Sequence, residues 1–278
     1  MTVNNFSNLL FIISTTIYLA GMTGYILYLF IQKERMENSA FTLMCAGFIV
    51  HLFTLILDTV NFGTLPVYNL HQNLSIAAFA LAGVFILLKY RFNLKILGIF
   101  TAPLIALTMI AALAAPQSLP LKESILKGFW LISHVILIFS GEAALAIACC
   151  TGILYLLQER AIKNKTRGFF YKRLPSLDLL DSTSYSCIVT GFTMLTFGLI
   201  TGLVYAKSVW GQFWSWDPKE VWSVVTWLIY AALLHGRLTG GWRGRRSAIL
   251  TIIGFAVLLF TFFGVNFLIG GHHQGFTK

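Results

Sequence analysis

The chain has 278 residues, of which 57% are hydrophobic and only 11% are charged, and its formal net charge is +10. Soluble domains carry about 25% charged residues, so this composition excludes an ordinary aqueous fold and points to an integral membrane protein. The positive balance does not imply a nucleic-acid partner, because the basic residues gather on particular connections between apolar runs.

Eight runs are long enough to cross a bilayer, which takes about 20 residues each. They cover roughly residues 8–30, 40–58, 72–90, 95–115, 129–157, 185–206, 221–236 and 247–269. Backbone groups in hydrocarbon must be satisfied within their own segment, so the spans are helices. Runs such as "ILTIIGFAVLLFTFFGVNFLI" lack the alternation of a membrane barrel. The expected fold is therefore all-α, a polytopic bundle of about eight transmembrane helices with no separate aqueous domain.

The first span comes with "MTVNNFSNLL", which lacks the basic region and small-residue cleavage site of a secretory signal, so it is expected to stay as an anchor. The second span holds His51 and ends near Asp58, and the third begins near His71. The connection "AAPQSLPLKES" leads toward the fifth span, which carries His134 near its start and Glu142 inside it. That span is overlong, so it tilts or projects from the membrane. The longest connection, Gln158 to Ser184, is basic and then mildly acidic around Asp178 and Asp181, and reads as a solvated loop. Cys45, Cys149, Cys150 and Cys187 lack CxxC spacing and read as free thiols in the bundle, and without CxxCH the chain is not itself a c-type cytochrome.

Between the sixth and seventh spans stands "VWGQFWSWDPKEVW", residues 209–222. Asp217 before Pro218 and Glu220 is a helix start, with the acid as N-cap, proline at the first helical position and a capping box to the third. The seventh span carries His235, and the chain ends in a tail containing His272 and His273.

Basic residues cluster at Lys33 and Arg35, at Lys89 to Lys95, at Arg160 to Arg173 and at Arg237 to Arg246, together 15 of the 20. These are alternate connections, and the positive-inside rule makes them cytoplasmic. Both termini, the tryptophan-rich connection and the histidine tail then lie on the extracytoplasmic side.

Ionisable groups within spans are costly and are candidates for function. His134, the tail histidines and the tryptophan stretch all fall toward one face of the membrane. Histidine nitrogen suits zinc, copper, nickel or iron, yet a bare metal site has no use for Trp210, Trp214, Trp216 and Trp222. Heme uses both imidazoles as axial ligands and flat aromatic faces against the macrocycle, and its propionates can meet Lys207, Lys219 or the amides that open the seventh helix. The alternatives stay open at this point: interfacial tryptophans also form aromatic belts, a single histidine also serves as a hydrogen-bonded structural residue, and the reading of His51 is the latter.

The run Trp210, Gly211, Phe213, Trp214, Trp216, Asp217, Pro218, Lys219, Glu220 resembles the tryptophan-rich WWD signature, WGxxWxWDPKE, of heme-handling membrane proteins. With "GFWLISHV" opening the fifth span and "GVNFLIGGHHQGF" near the end, the chain is similar to the CcsA (ResC) family of System II cytochrome c biogenesis, most strongly over 125–278. The resemblance implies an N-terminal four-helix region, 1–124, and a heme-handling core, 125–278, within one integrated membrane domain. It implies heme b as cargo, with His134 and a tail histidine, His273 rather than His272, as outer axial ligands. His235 is the implied intramembrane ligand, and Trp210, Gly211, Trp214, Trp216 and Asp217 form the heme-contacting loop.

Transport of heme and its presentation to the CxxCH thiols of an apocytochrome c is the implied function. The implied partners are a CcsB (ResB)-type membrane protein, the apocytochrome and thiol-reducing proteins, in a bacterial plasma membrane or a thylakoid. Two other readings are a CcmC-like exporter that hands heme to a chaperone without forming thioethers, against which the additional N-terminal spans count, and an assembly or regulatory relative that moves no heme.

Overall fold

A computed structural model describes residues 3–92, 95–117, 128–165 and 173–269. The described residues are helical throughout their ordered elements, and eight helices are long and apolar enough to cross a membrane. In chain order they are α1 (Val3–Ile31), α2 (Glu34–Phe62), α3 (Leu70–Phe92), α4 (Leu97–Ala114), α5 (Phe129–Lys163), α6 (Leu177–Trp210), α7 (Pro218–Thr239) and α8 (Arg245–Leu259). A π-helical segment, Phe260–Ile269, continues α8, where the apolar pattern predicts an unbroken α-helix. The fold class is thus the expected one.

α5, α6 and α7 extend beyond their apolar runs, and polar residues at several helix ends are paired with one another. The expected loop Gln158 to Ser184 is the clearest correction: α5 runs on to Lys163 and α6 starts at Leu177. Ser176 opens α6 by accepting the Leu179 amide on its hydroxyl at 3.4 Å. Asp181, read from the sequence as part of a solvated loop, is a helical residue that takes both Arg237 guanidinium nitrogens, at 2.6 and 2.9 Å, and the Gly244 amide at 3.0 Å. Arg237 also reaches Ser247 at 3.3 Å and covers the Tyr185 ring at 4.4 Å. One carboxylate thereby ties the start of α6 to the end of α7 and the start of α8.

The helices form two compact units, one extending to Lys127 and the other beginning at Gly128. In the first unit α1 packs on α2 and α4, and α3 packs on α4 and α2. Close approach is made by small residues: a Cβ on Gly24 would stand 2.9 Å from that of Ala40, and one on Gly47 would stand 2.9 Å from the Tyr18 ring. His51 is fully buried, shares a hydrogen bond of 2.9 Å with Ser75 and is ringed by Phe11, Tyr18 and Phe79. Its position is that of a packed, hydrogen-bonded structural histidine. Lys89 pairs with buried Glu37, and Ser7 donates to Asp58, so these polar side chains are also held inside the unit.

In the second unit α5 lies along α6 and α8, and α7 along α8, α6 and the π segment. Gly141 and Gly191 meet backbone to backbone, each Cβ position falling 3.0 Å from the other's carbonyl oxygen. This is the close contact that small residues allow between membrane helices. All four cysteines are free thiols.

Candidate functional site

Gly198 and Gly202 on α6, four residues apart and so on one helix face, make a seat for His134. A Cβ on Gly202 would stand 2.7 Å from both Cε1 and Nδ1 of the imidazole, so only glycine leaves room for the ring. His134 Nδ1 donates to the Gly198 carbonyl at 2.7 Å. A carbonyl oxygen only accepts, so Nδ1 holds the proton, and in the neutral ring Nε2 holds the lone pair. Metal-bound histidines are usually fixed in this way, with the remote N–H on a backbone carbonyl. The glycine spacing in "FGLITGL" was the sequence signal for this seat, and it is recognisable only once α5 and α6 are known to be neighbours.

The tryptophan-rich connection begins where α6 ends, eight residues beyond Gly202, which is about 12 Å of helix. Gly211 closes α6 at φ 77°, a conformation that suits a residue without Cβ. The Gly211 amide donates to the Lys207 carbonyl at 3.1 Å, and Lys207 Nζ donates back to the Gly211 carbonyl at 2.7 Å. Lys207 also lies 5.5 Å from the centre of the Phe213 ring. Lys207 thus closes the end of α6 with an ammonium that stays exposed.

Trp216 has φ 59°, a left-handed conformation that is costly for a bulky side chain. Its indole is 77% exposed and stands edge-on to Trp214, with ring centres 5.7 Å apart. The backbone on either side is held by Glu220, which accepts from the Ser215 amide and hydroxyl, both at 2.9 Å, and from the Asp217 amide at 3.3 Å. Asp217 is buried, accepts the Lys219 amide at 2.9 Å and completes the capping box with Glu220 ahead of Pro218. The opening amides of α7 therefore have a resident acceptor in Asp217.

Trp210 stands edge-on to Tyr205 at 6.3 Å, and Trp222 packs on Phe260 at the head of the π segment at 4.6 Å. His235 lies 17 residues after Pro218 on α7, about 25 Å along the axis. Its side chain is exposed, on a different face from buried Arg237. His272 and His273 lie outside the described residues. Among the described residues no group of three or more His, Cys, Asp or Glu side chains converges as a metal site.

Fold and site together define an all-helical polytopic membrane protein in which an anchored imidazole lies toward the end of the α5 and α6 pair that also carries a tryptophan-rich loop. A sequence family described as cytochrome C assembly protein matches residues 67–273. A cytochrome c biogenesis protein CcsA of Guillardia theta is 36% identical over 243 residues, 80% of this chain and 80% of that protein. Proteins of the same name from Prochlorococcus marinus and Chlorella vulgaris are each 34% identical, over 84% and 81% of this chain and 83% and 82% of their own lengths. A solved structure of the cytochrome c heme lyase CcmF superposes with a TM-score of 0.68 over 99% of this chain at 18% identity, a likeness of fold. The chain spans 49% of that protein's length. The chain belongs to the CcsA family of cytochrome c assembly proteins and is an integral membrane protein.

Proposed function

We propose that the protein carries heme b across the membrane and presents it for covalent attachment to the CxxCH motif of an apocytochrome c, as the CcsA-type member of a synthase with a CcsB-type partner. The observation that carries this reading is His134, anchored through Nδ1 on Gly198 so that Nε2 can serve iron. The donor set fits heme: one fixed imidazole, exposed indole and phenyl faces at Trp216 and Phe213, and Lys219 in the first turn of α7 as a cation for a carboxylate.

In this reading the loop and both termini face the extracytoplasmic side, in a bacterial plasma membrane or a thylakoid, as the charge asymmetry requires. His134 and His273, or its neighbour His272, hold the iron there. Trp210, Trp214, Trp216, Gly211 and Asp217 shape and support the adjoining surface. His235 is the intramembrane ligand on the way out, and its exposed position on α7 leaves it open to a second ligand from the CcsB-type partner. When bound, heme supplies two vinyl groups that react with cysteine thiols kept reduced by thiol-reducing partners. The chain orients the porphyrin and fixes its iron, which lowers the entropic barrier to a reaction that the cofactor's own chemistry drives.

The test is pyridine hemochrome analysis of the purified protein beside His134→Ala, His235→Ala and His273→Ala. Each substitution is expected to lower heme content or shift the Soret band. Equal heme with unchanged spectra in all four preparations would remove the ligand assignments.

A further inference from the structure

The last span changes its hydrogen-bond ladder at Phe260, with no proline between Arg245 and Ile269 to force the change. At the junction the Thr261 hydroxyl donates to the Val257 carbonyl at 2.9 Å, and the Phe260 amide is divided between the Ala256 and Val257 carbonyls. A carbonyl taken by a side chain is less available to the amide four residues on, which loosens the ladder at that point. Thr251 makes the same bond back to Ser247 inside a regular stretch of α8, so the back-bond alone does not produce a π turn. Thr261 differs in reaching a second helix.

Thr226 on α7 donates to the Trp222 carbonyl at 2.9 Å, and Thr261 Oγ1 lies 3.3 Å from that same carbonyl. The two hydroxyl oxygens are 3.1 Å apart, and the residues are only 2% and 8% exposed. Two hydroxyl protons thus serve the Val257 and Trp222 carbonyls and each other, in a buried contact where an unmade hydrogen bond is costly.

Aromatic contacts on either side of this clip tie the π segment to the elements of the candidate site. Phe260 packs on Trp222 with ring centres 4.6 Å apart, and its ring folds over Gly264, where a Cβ would stand 2.5 Å away. Phe262 meets Phe139 of α5 at 6.2 Å. Phe139 lies five residues beyond His134, about 7–8 Å along the helix. The segment is therefore held against both the helix that carries His134 and the helix that opens from the tryptophan-rich loop. It is also the stem of the tail, since His272 and His273 follow Ile269 by three and four residues. An i→i+5 ladder takes in more residues per turn than i→i+4, so everything past Phe260 leaves on a face that the α register does not give.

We propose that Thr226 and Thr261 are positioning residues for heme at the outer site: their hydroxyl pair locks the last span in its π register and so sets the face from which a tail imidazole meets the iron opposite His134. In Thr261→Val the bonds to Val257, Trp222 and Thr226 are gone, the α ladder continues past Leu259, and the direction in which the tail leaves the span changes. The His134 side of the iron is untouched, because that ring is seated on Gly198 and Gly202 of α6.

The inference rests on the heme-handling reading, and its test keeps the two apart. The full chain is purified with heme in detergent, and ferric electron paramagnetic resonance is recorded beside the Soret band for the wild type, Thr226→Val, Thr261→Val, Thr261→Ser and His134→Ala. Two imidazoles hold ferric heme low-spin, and one alone leaves it high-spin. Expected is a low-spin wild type, loss of the low-spin signal in both valine variants with heme still bound, and its return in Thr261→Ser, which keeps the hydroxyl. Melting temperatures of the valine variants within a few degrees of the wild type establish that the loss is not one of fold. A low-spin signal that persists in both valine variants, or a wild type that is itself high-spin, overturns the proposal. If the valine variants match the wild type while His134→Ala loses heme, the heme reading stands and this inference alone fails. If the wild type binds no heme, both fall.

Discussion

At the scale of single residues, His134 depends as much on the glycines beneath it as on its own side chain. Gly202→Ala places a methyl carbon inside the space of Cε1 and Nδ1, so the ring must move off its seat while the imidazole remains present. Heme affinity is expected to fall about 10- to 100-fold, the range found when an outer partner of a metal ligand is lost. Titration with heme monitored at the Soret band checks this, and an unchanged affinity would mean that the Gly198 bond does not position the ligand. Trp216 offers the opposite case, an aromatic held in a conformation it disfavours. Trp216→Gly should relieve about 1–3 kcal/mol of strain, raising the melting temperature while removing an exposed indole face. A fall in melting temperature would show that the indole's contacts outweigh the backbone cost.

Helices are held at their ends by polar clamps, and these separate stability from ligand binding. The Asp181–Arg237 pair, with side chains 17% and 8% exposed, gathers the starts of α6 and α8 and the end of α7. Asp181→Ala leaves the guanidinium with Ser247 and the Tyr185 ring alone, a loss of about 3–5 kcal/mol for a mostly buried charge. Unfolding in detergent should show the drop, with heme content per folded molecule unchanged because the clamp is at the end of α6 away from the loop. At the other end, Asp217 caps α7, and its loss costs about 1 kcal/mol while also freeing Glu220. An effect of Asp217→Ala on heme is therefore a statement about the loop's backbone, and Asp217→Asn, which preserves a capping acceptor, should retain most of it.

For the whole molecule, the arrangement of charge predicts which way the spans run. A cysteine placed at Phe213 should react with a membrane-impermeant maleimide in intact cells, and one at Trp242 only after permeabilisation. The reverse pattern would invert the topology and with it the direction in which heme is carried. The CcsA family and the all-helical fold were both legible in the residues, the first from the long tryptophan signature and the second from apolar runs of spanning length. The capping role of Asp217 was legible too, because a cap is a local device whose donor and acceptor are neighbours in sequence. Helix ends were less so, since Asp181 and Lys89 look solvated until their partners, Arg237 and Glu37, arrive from other helices.

Composition, and contacts only a few residues apart, let the sequence by itself determine that the chain is a membrane protein, how many spans it has, and where a helix starts after the tryptophans. Only the tertiary structure decided which nitrogen of His134 holds its proton, and that Asp181 at the start of α6 is held by Arg237 at the end of α7. The His134 and Asp181 contacts join residues tens of positions apart on different helices, and no period or spacing along the chain records which faces will meet.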